Sequence, residues 1–462
     1  MNPKREVNIH YTIFLVMAIA SLIIGFVLMP DLDRIREGLI AIIKHPSLLS
    51  TDYMVVGGSI GTSFVNASII TFMALGMFRA VGAKLQGLQV AGLLMVFGYG
   101  FYGKNPLNII PLALGVLLEA KVTGKKLEEV VALACFAAAL SPLVSVLAFG
   151  TPLMIDAPLS TTLPIAIVTG IVAGGFIGKF SGYVARLHYG ASLYNGALAS
   201  GIVGILINFL LVSIGLGHDR LVDNVFIAGQ NRLLAGIAIG FCVYFILVGV
   251  FLNRGFRGLQ YFIPRAFVKM DFVYQFSMGK TLINMGLIGL VMIAYVLVIP
   301  KAQFNGPIYG ALFTIIGFAA HGVTLPAMLP CVLGVFAGAF LTGGTAHYLI
   351  HGNFIAGAME KVATRDMLLA ALFVGGFSPI TKMISPAAGF FGGMLHSITV
   401  PQIAILHGWM VGYNNGVSIG LIAMLFFPLI ETVGKNPYLG RILKRFAKEE
   451  DTQHVLKKHI HE

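Results

Sequence analysis

Charge is scarce in this chain. Asp, Glu, Lys and Arg make up 11% of its 462 residues, against about 25% in a soluble domain. A soluble protein so poor in charge could not cover its own surface. That excludes a soluble enzyme, a nucleic-acid binder and a disordered scaffold. Cysteine is scarce too. Cys135, Cys242 and Cys331 all lie in apolar runs, where Cys behaves as a small hydrophobe, and no CxxC or Cys/His metal spacing is present. The sequence has no P-loop, no HExxH and no GxSxG. ATP-driven pumping by this chain alone is therefore excluded, an enzyme is not expected, and no cofactor is implied. There is no long polar stretch, so no soluble domain is expected.

What is present is apolar. Mean hydropathy is +0.88, and continuous apolar runs such as residues 11–29 and 233–252 are long enough for helices that cross a bilayer of about 30 Å. A strand barrel would alternate instead. Lipid offers no hydrogen-bond partners, so helices are the remaining way across. The first run has no small-residue cleavage site after it, and no cleavable signal peptide is expected. The net charge of +12 sits in short loops and in the tail, where it sets topology. The tail from Lys435 carries Lys435, Arg441, Lys444, Arg445, Lys448, Lys457 and Lys458 against four acids. It reads as a cytoplasmic end with a weak attraction to anionic lipid.

The chain repeats itself. The stretch from Ala91 and the stretch from Gly310 match at Gly98/Gly317, Gly103/Gly322, Pro111/Pro330, Gly115/Gly334, Thr123/Thr342 and Gly124/Gly343, each pair 219 positions apart. The same offset returns at His188/His407, Tyr194/Tyr413, Asn195/Asn414 and Gly201/Gly420. Asn66 matches Asn284 at an offset of 218, and Ser141-Pro142 matches Ser378-Pro379 at 237. The second half thus gains eighteen residues and loses them again. Duplicated halves are a common plan of secondary transporters.

Seven hydrophobic segments per half make the halves antiparallel, because the number is odd. Loop charges agree: Lys4, Arg5, Arg79, Lys84, Lys121, Lys125, Lys126, Lys179 and Arg186 fall on one side, and both termini are expected in the cytoplasm. Lys361 and Arg365 oppose the scheme, flanked by Glu360 and Asp366. The Gly98–Pro111 and Gly317–Pro330 stretches predict discontinuous helices. The expected fold is all-α and integral to the membrane, with ten to fourteen transmembrane or re-entrant helices in two inverted repeats. Residues 1–220 form the first, 221–434 the second, and 435–462 the basic tail.

Polar residues inside the apolar segments are the candidate site. Asn66, Asn284, Asn195 and Asn414 must face protein or water, since an unpaired amide in lipid costs a few kcal/mol. They line a pathway, or they join helices and satisfy carbonyls at helix breaks. His188 and His407 open the last segment of each half, as gate groups or as plain hydrogen-bond partners. His347 and His351 share a helix face without an apparent third ligand, so no metal is expected. At Ser141 and Ser378 the following proline leaves a helix N-terminus in the membrane, which suits an anion or a dipole; a simple kink is the alternative. Lys382 lies between apolar stretches, and its counterpart by the 237 offset is Ser145, so it breaks the symmetry. An intramembrane cation is a functional hypothesis by default, with snorkelling to an interface as the alternative.

The segments LYNGALASG from Leu193 and GYNNGVSIG from Gly412 resemble the glycine–aromatic–Asn segments of the urea transporter family. That resemblance implies duplicated inverted halves around a continuous narrow pore. The proline–phenylalanine motif of that family is not evident here. The whole chain is also similar to a bacterial multi-pass membrane family of unknown function, and this similarity implies no activity.

These readings converge on a channel or transporter for a small polar solute, with its site between the halves near mid-membrane. The alternatives are an ion-coupled carrier of a small anion using Lys382, an intramembrane enzyme acting on lipid, and an assembly subunit. The expected partners are a small-molecule solute and the lipid bilayer, with no nucleic acid; assembly as a homo-oligomer stays open.

Overall fold

The computed structural model describes residues 3–49, 51–150, 157–188, 190–216, 230–259 and 271–435. The basic tail beyond Lys435 lies outside these. The first half comprises α1 (Pro3–Leu28), α2 (Leu32–Lys44), α3 (Tyr53–Val56), α4 (Ile60–Ala80), α5 (Gly87–Tyr99), α6 (Pro106–Val122), α7 (Leu127–Ala137), α8 (Ser141–Phe149), α9 (Leu159–Leu187) and α10 (Asn195–Ser213). The second comprises α11 (Asn231–Asn253), α12 (Phe272–Phe276), α13 (Met278–Val298), α14 (Gly306–Phe318), α15 (Leu325–His351), α16 (Phe354–Ala363), α17 (Arg365–Phe373), α18 (Ser378–Met383), α19 (Pro386–Leu406) and α20 (Asn414–Lys435).

Ten helical stretches among the described residues are long and apolar enough to cross a membrane, five in each half. Their outward faces are apolar: Phe251 is 81% exposed, Val27 73% and Leu206 63%. In water such surface would drive association; against lipid it costs nothing. α5 and α14, at 13 residues each, rise about 20 Å, short of the bilayer core.

The two halves run in opposite directions. α5 crosses α14 so closely that a Cβ on Gly98 would lie 2.5 Å from the Gly310 carbonyl oxygen, and one on Gly317 would lie 3.0 Å from that of Ala91. Residue 98 meets 310 while 91 meets 317, so these equivalent helices are antiparallel. α10 and α20 repeat the pattern: Gly201 packs on Val417, and Gly420 on Leu198. A pseudo-two-fold axis relating inverted repeats passes through both pairs.

Crossed contacts tie the halves together. The Asp271 carboxylate accepts from the Gly87 N–H at 3.0 Å and so caps α5, whose own N-cap residue, Gln86, makes no side-chain cap. Asp52 faces the Gly306 N–H at the start of α14 in the equivalent place. Carboxylates there also meet the positive end of each helix dipole. Leu193 N–H donates to Gly376 O (3.2 Å), and Gly412 N–H donates to Ala139 O (2.7 Å).

The discontinuous helices fall where the sequence predicts them. Gly103 (φ +73°) and Gly322 (φ +99°) turn the chain through the left-handed region at each break, which a side chain would resist. Asn105 then opens α6 with a reciprocal cap on Asn108, and Pro106 follows at N1. The eighteen-residue gain of the second half takes the form of a longer α15 and the added α16. The loss follows at once, since only Ile384 and Ser385 join α18 to α19.

One expectation changes. His188 and His407 do not open α10 and α20; they cap the C-termini of α9 and α19. Gly190 and Gly408, both with positive φ, turn the chain before the next helix begins at the paired asparagine. At the Ser-Pro sites a 3-10 turn (Ala138–Leu140, Val374–Phe377) interrupts each span, and the proline then occupies the first turn of α8 or α18, as the sequence leads one to expect.

Candidate functional site

The two helix breaks, at residues 100–105 and 319–324, leave backbone carbonyls without helical partners. Asn66 on α4 donates through Nδ2 to Gly100 O (2.7 Å) and Lys104 O (2.9 Å). Asn284 on α13 does the same to Ala319 O (2.8 Å) and Val323 O (2.9 Å). Each asparagine is thus stitched to the break of its own repeat. Ser141 Oγ donates to Gly103 O at 2.9 Å, so it joins Asn66 at the first break. At the second break the corresponding carbonyl, Gly322 O, is taken by Lys382 Nζ at 2.9 Å, with the ammonium 5.3 Å from the Phe272 ring centroid. Ser378 Oγ is buried with no hydrogen-bond partner among the described residues.

The remaining predicted residues form separate groups. His407 Nε2 lies 3.1 Å from Asn414 Oδ1, and Asn414 Nδ2 donates to Val400 O at 2.9 Å. In the first half His188 is fully buried, and Asn195 again stands beside its ring. The rings of His347 and His351 lie tilted to one another with centroids 4.6 Å apart, and no third ligand stands beside them among the described residues.

The residue that sequence reasoning missed is Lys104. It reads as a loop lysine in FYGKNPLN, yet it is 0% exposed. The break folds back between the repeats and carries the lysine inside. Tyr99 stacks on Tyr102 with centroids 4.4 Å apart, and the ammonium lies 4.7 Å from the Tyr99 ring and 4.5 Å from the Tyr413 ring. Lys104 Nζ donates to Cys135 O at 3.3 Å and to Tyr413 Oη. Tyr413 Oη in turn donates to Cys135 O at 3.1 Å. Tyr99 Oη reaches across to Gly412 O at 2.9 Å. The cage is therefore built by both repeats.

No carboxylate pairs with Lys104 among the described residues. Taking an ammonium out of water costs several kcal/mol. The Tyr99 ring at about 2 kcal/mol, the Tyr413 hydroxyl and one carbonyl offset part of that, and no opposite charge stands beside the amine among the described residues. Position 323, which matches 104 across the repeat, is Val. The signal available in the sequence was a lysine inside a Gly/Pro-broken apolar stretch with no acid near it.

Two cavities are lined by residues next to the cage and not by Lys104, Tyr99 or Tyr413 themselves. One of about 140 Å³, with mixed polar and apolar walls, is lined by Leu49, Asp366, Trp409, Asn414 and Asn415 among others; Asn414 follows Tyr413 of the cage. A second, of about 240 Å³ and apolar, lies between α4, α5, α6 and α7 and reaches Cys135 and Ala138.

No curated protein and no solved structure matches the chain, so the urea-transporter resemblance gains no support from them. A family model does match, in two pieces that cover residues 31–213 and 253–432, one in each repeat. The chain therefore belongs to the DUF1576 family, described as a protein of unknown function.

Proposed function

We propose that this protein moves a small polar solute across the cell membrane through the interface of its two inverted repeats. The observation that carries this reading is the antiparallel crossing of α5 and α14, two helices too short to span. Their breaks bring polar side chains to the centre of an otherwise apolar bundle, as discontinuous helices do at transporter binding sites. The mixed cavity beside Asn414 and Asn415 offers a polar approach. Burial of Lys104, Tyr99 and Tyr102 favours a carrier that alternates between closed forms over a permanently open pore. Both termini are taken to be cytoplasmic, following the loop charges.

The test is flux in liposomes holding the purified protein. Stopped-flow light scattering with urea, glycerol and short monocarboxylates should show at least one solute entering faster than in protein-free vesicles. If every solute permeates at the protein-free rate, the proposal fails.

A further inference from the structure

We infer that the carried solute is a monoanion and that Lys104 binds its charge. This rests on the transport reading above and adds the class of substrate. Lys104 is fully buried, has no carboxylate partner among the described residues, and stands where the two repeats meet. Its surroundings are two tyrosine rings, one hydroxyl and one carbonyl, which orient an ammonium without neutralising it. An anion beside Nζ would complete the balance.

The repeat sharpens the argument. Groups needed to hold a helix break together occur twice: Asn66 and Asn284 on the loop carbonyls, Ser141 and Lys382 on the glycine carbonyls. Lys382 fills a position whose role in the first half is met by a neutral serine, so its contact is explained by the scaffold. Lys104 has no such counterpart. The matching residue, Val323, keeps only the backbone carbonyl that the break requires. Lys382 also lacks a carboxylate partner among the described residues, but Lys104 is the ammonium held by both repeats, and one negative charge suits it.

The cavity of about 140 Å³ is lined by Asn414, the residue after Tyr413, and not by Lys104 itself, so an anion meets Nζ only when the closed cage opens. The cavity has room for an ion of a few heavy atoms, given about 30 Å³ for one water. Asp366 at the cavity wall is 3.8 Å from the Arg365 guanidinium, which reduces its repulsion of an entering anion. Small carboxylates and inorganic monoanions share the chemistry required.

The experiment uses the full chain in liposomes, with uptake of radiolabelled acetate, iodide and urea measured for the wild type, Lys104→Met and Lys382→Met. Thermal unfolding in detergent is followed with and without each anion. The wild type should take up acetate, iodide or both, and which of the two enters identifies the source. Lys104→Met should lower that uptake at least about tenfold, the equivalent of about 1.4 kcal/mol, and lose the stabilisation by the anion; Lys382→Met should keep both. Should Lys104→Met fail to fold, Tyr413→Phe, which removes the hydroxyl and with it the contacts to Lys104 and to the Cys135 carbonyl, should weaken anion uptake. Wild-type uptake of urea without either anion would overturn this inference and leave the transport reading standing. Folded Lys104→Met with undiminished anion uptake would overturn it as well. Wild-type protein that moves none of the three removes the inference together with its premise.

Discussion

Asn66→Ala and Asn284→Ala test whether the paired asparagines are scaffold or pathway. Each substitution deletes two hydrogen bonds, at 2.7 and 2.9 Å in the first repeat and 2.8 and 2.9 Å in the second. Each also strands two carbonyls at a buried helix break. Interhelical hydrogen bonds in membrane proteins average about 0.6 kcal/mol and reach about 1.7, so two of them come to about 1–3 kcal/mol. Because the geometry is mirrored, the two costs should agree within about 0.5 kcal/mol, a margin typical of independent sites. Unfolding by SDS in mixed micelles, followed through the fluorescence of the single tryptophan, Trp409, gives both values in one assay. The reasoning is refuted if either variant is as stable as the wild type yet loses solute flux, for then the amide serves the pathway and not the loop.

The crossed caps and the helix crossing give two further expectations. Asp271→Ala should cost about 1–2 kcal/mol, the upper range for a lost N-cap. Asp52→Ala should cost less, because α14 retains the Asn305 cap on Ile308 N–H while α5 has no cap of its own; equal costs in the same unfolding assay would contradict the assignment. Gly98→Ala puts a Cβ 2.5 Å from Gly310 O and must push α5 from α14, at about 1–3 kcal/mol. A size-exclusion profile and melting temperature unchanged from the wild type would show that this crossing is looser than described.

The repeat, its inversion and the two breaks were legible because glycine, proline and asparagine carry backbone meaning that survives duplication. Gly103 and Gly322 are needed for positive φ, and Asn66 and Asn284 for carbonyls that any break exposes. The partners were not legible. Asp52 and Asp271 stand at the same 219 offset, but an acid in a short polar loop looks solvated until the other repeat is seen to bring a helix N-terminus to it. His188 and His407 were displaced by seven residues because hydropathy does not mark the turn at Gly190 and Gly408. The amphipathic α2, with Ile35, Gly38 and Ile42 buried, carries too many charges to register among long apolar runs. Lys104 escaped for a related reason: hydropathy assigns it to a loop, and only the folding back of that loop between the repeats makes it the most buried cation in the described bundle.

Duplication separates what holds this fold from what it holds. A contact that the scaffold needs at one break is needed at the other, so it is copied, as the asparagine stitches, the crossed caps and the Leu193–Gly376 and Gly412–Ala139 links are. Tyr99 on Tyr413 and Phe318 on Tyr194 preserve even the ring pairing, with centroids 4.6 and 4.7 Å apart. Against that background a difference between the halves is informative where a shared feature is not. The phenol at 99 against the phenyl at 318, and the lysine at 104 against the valine at 323, set the first break apart from the second, where the ammonium of Lys382 sits instead on the Gly322 carbonyl. Closing the second break needs neither the phenol nor the lysine at these positions, so stability does not call for them. A solute that meets a charge held between the two repeats would.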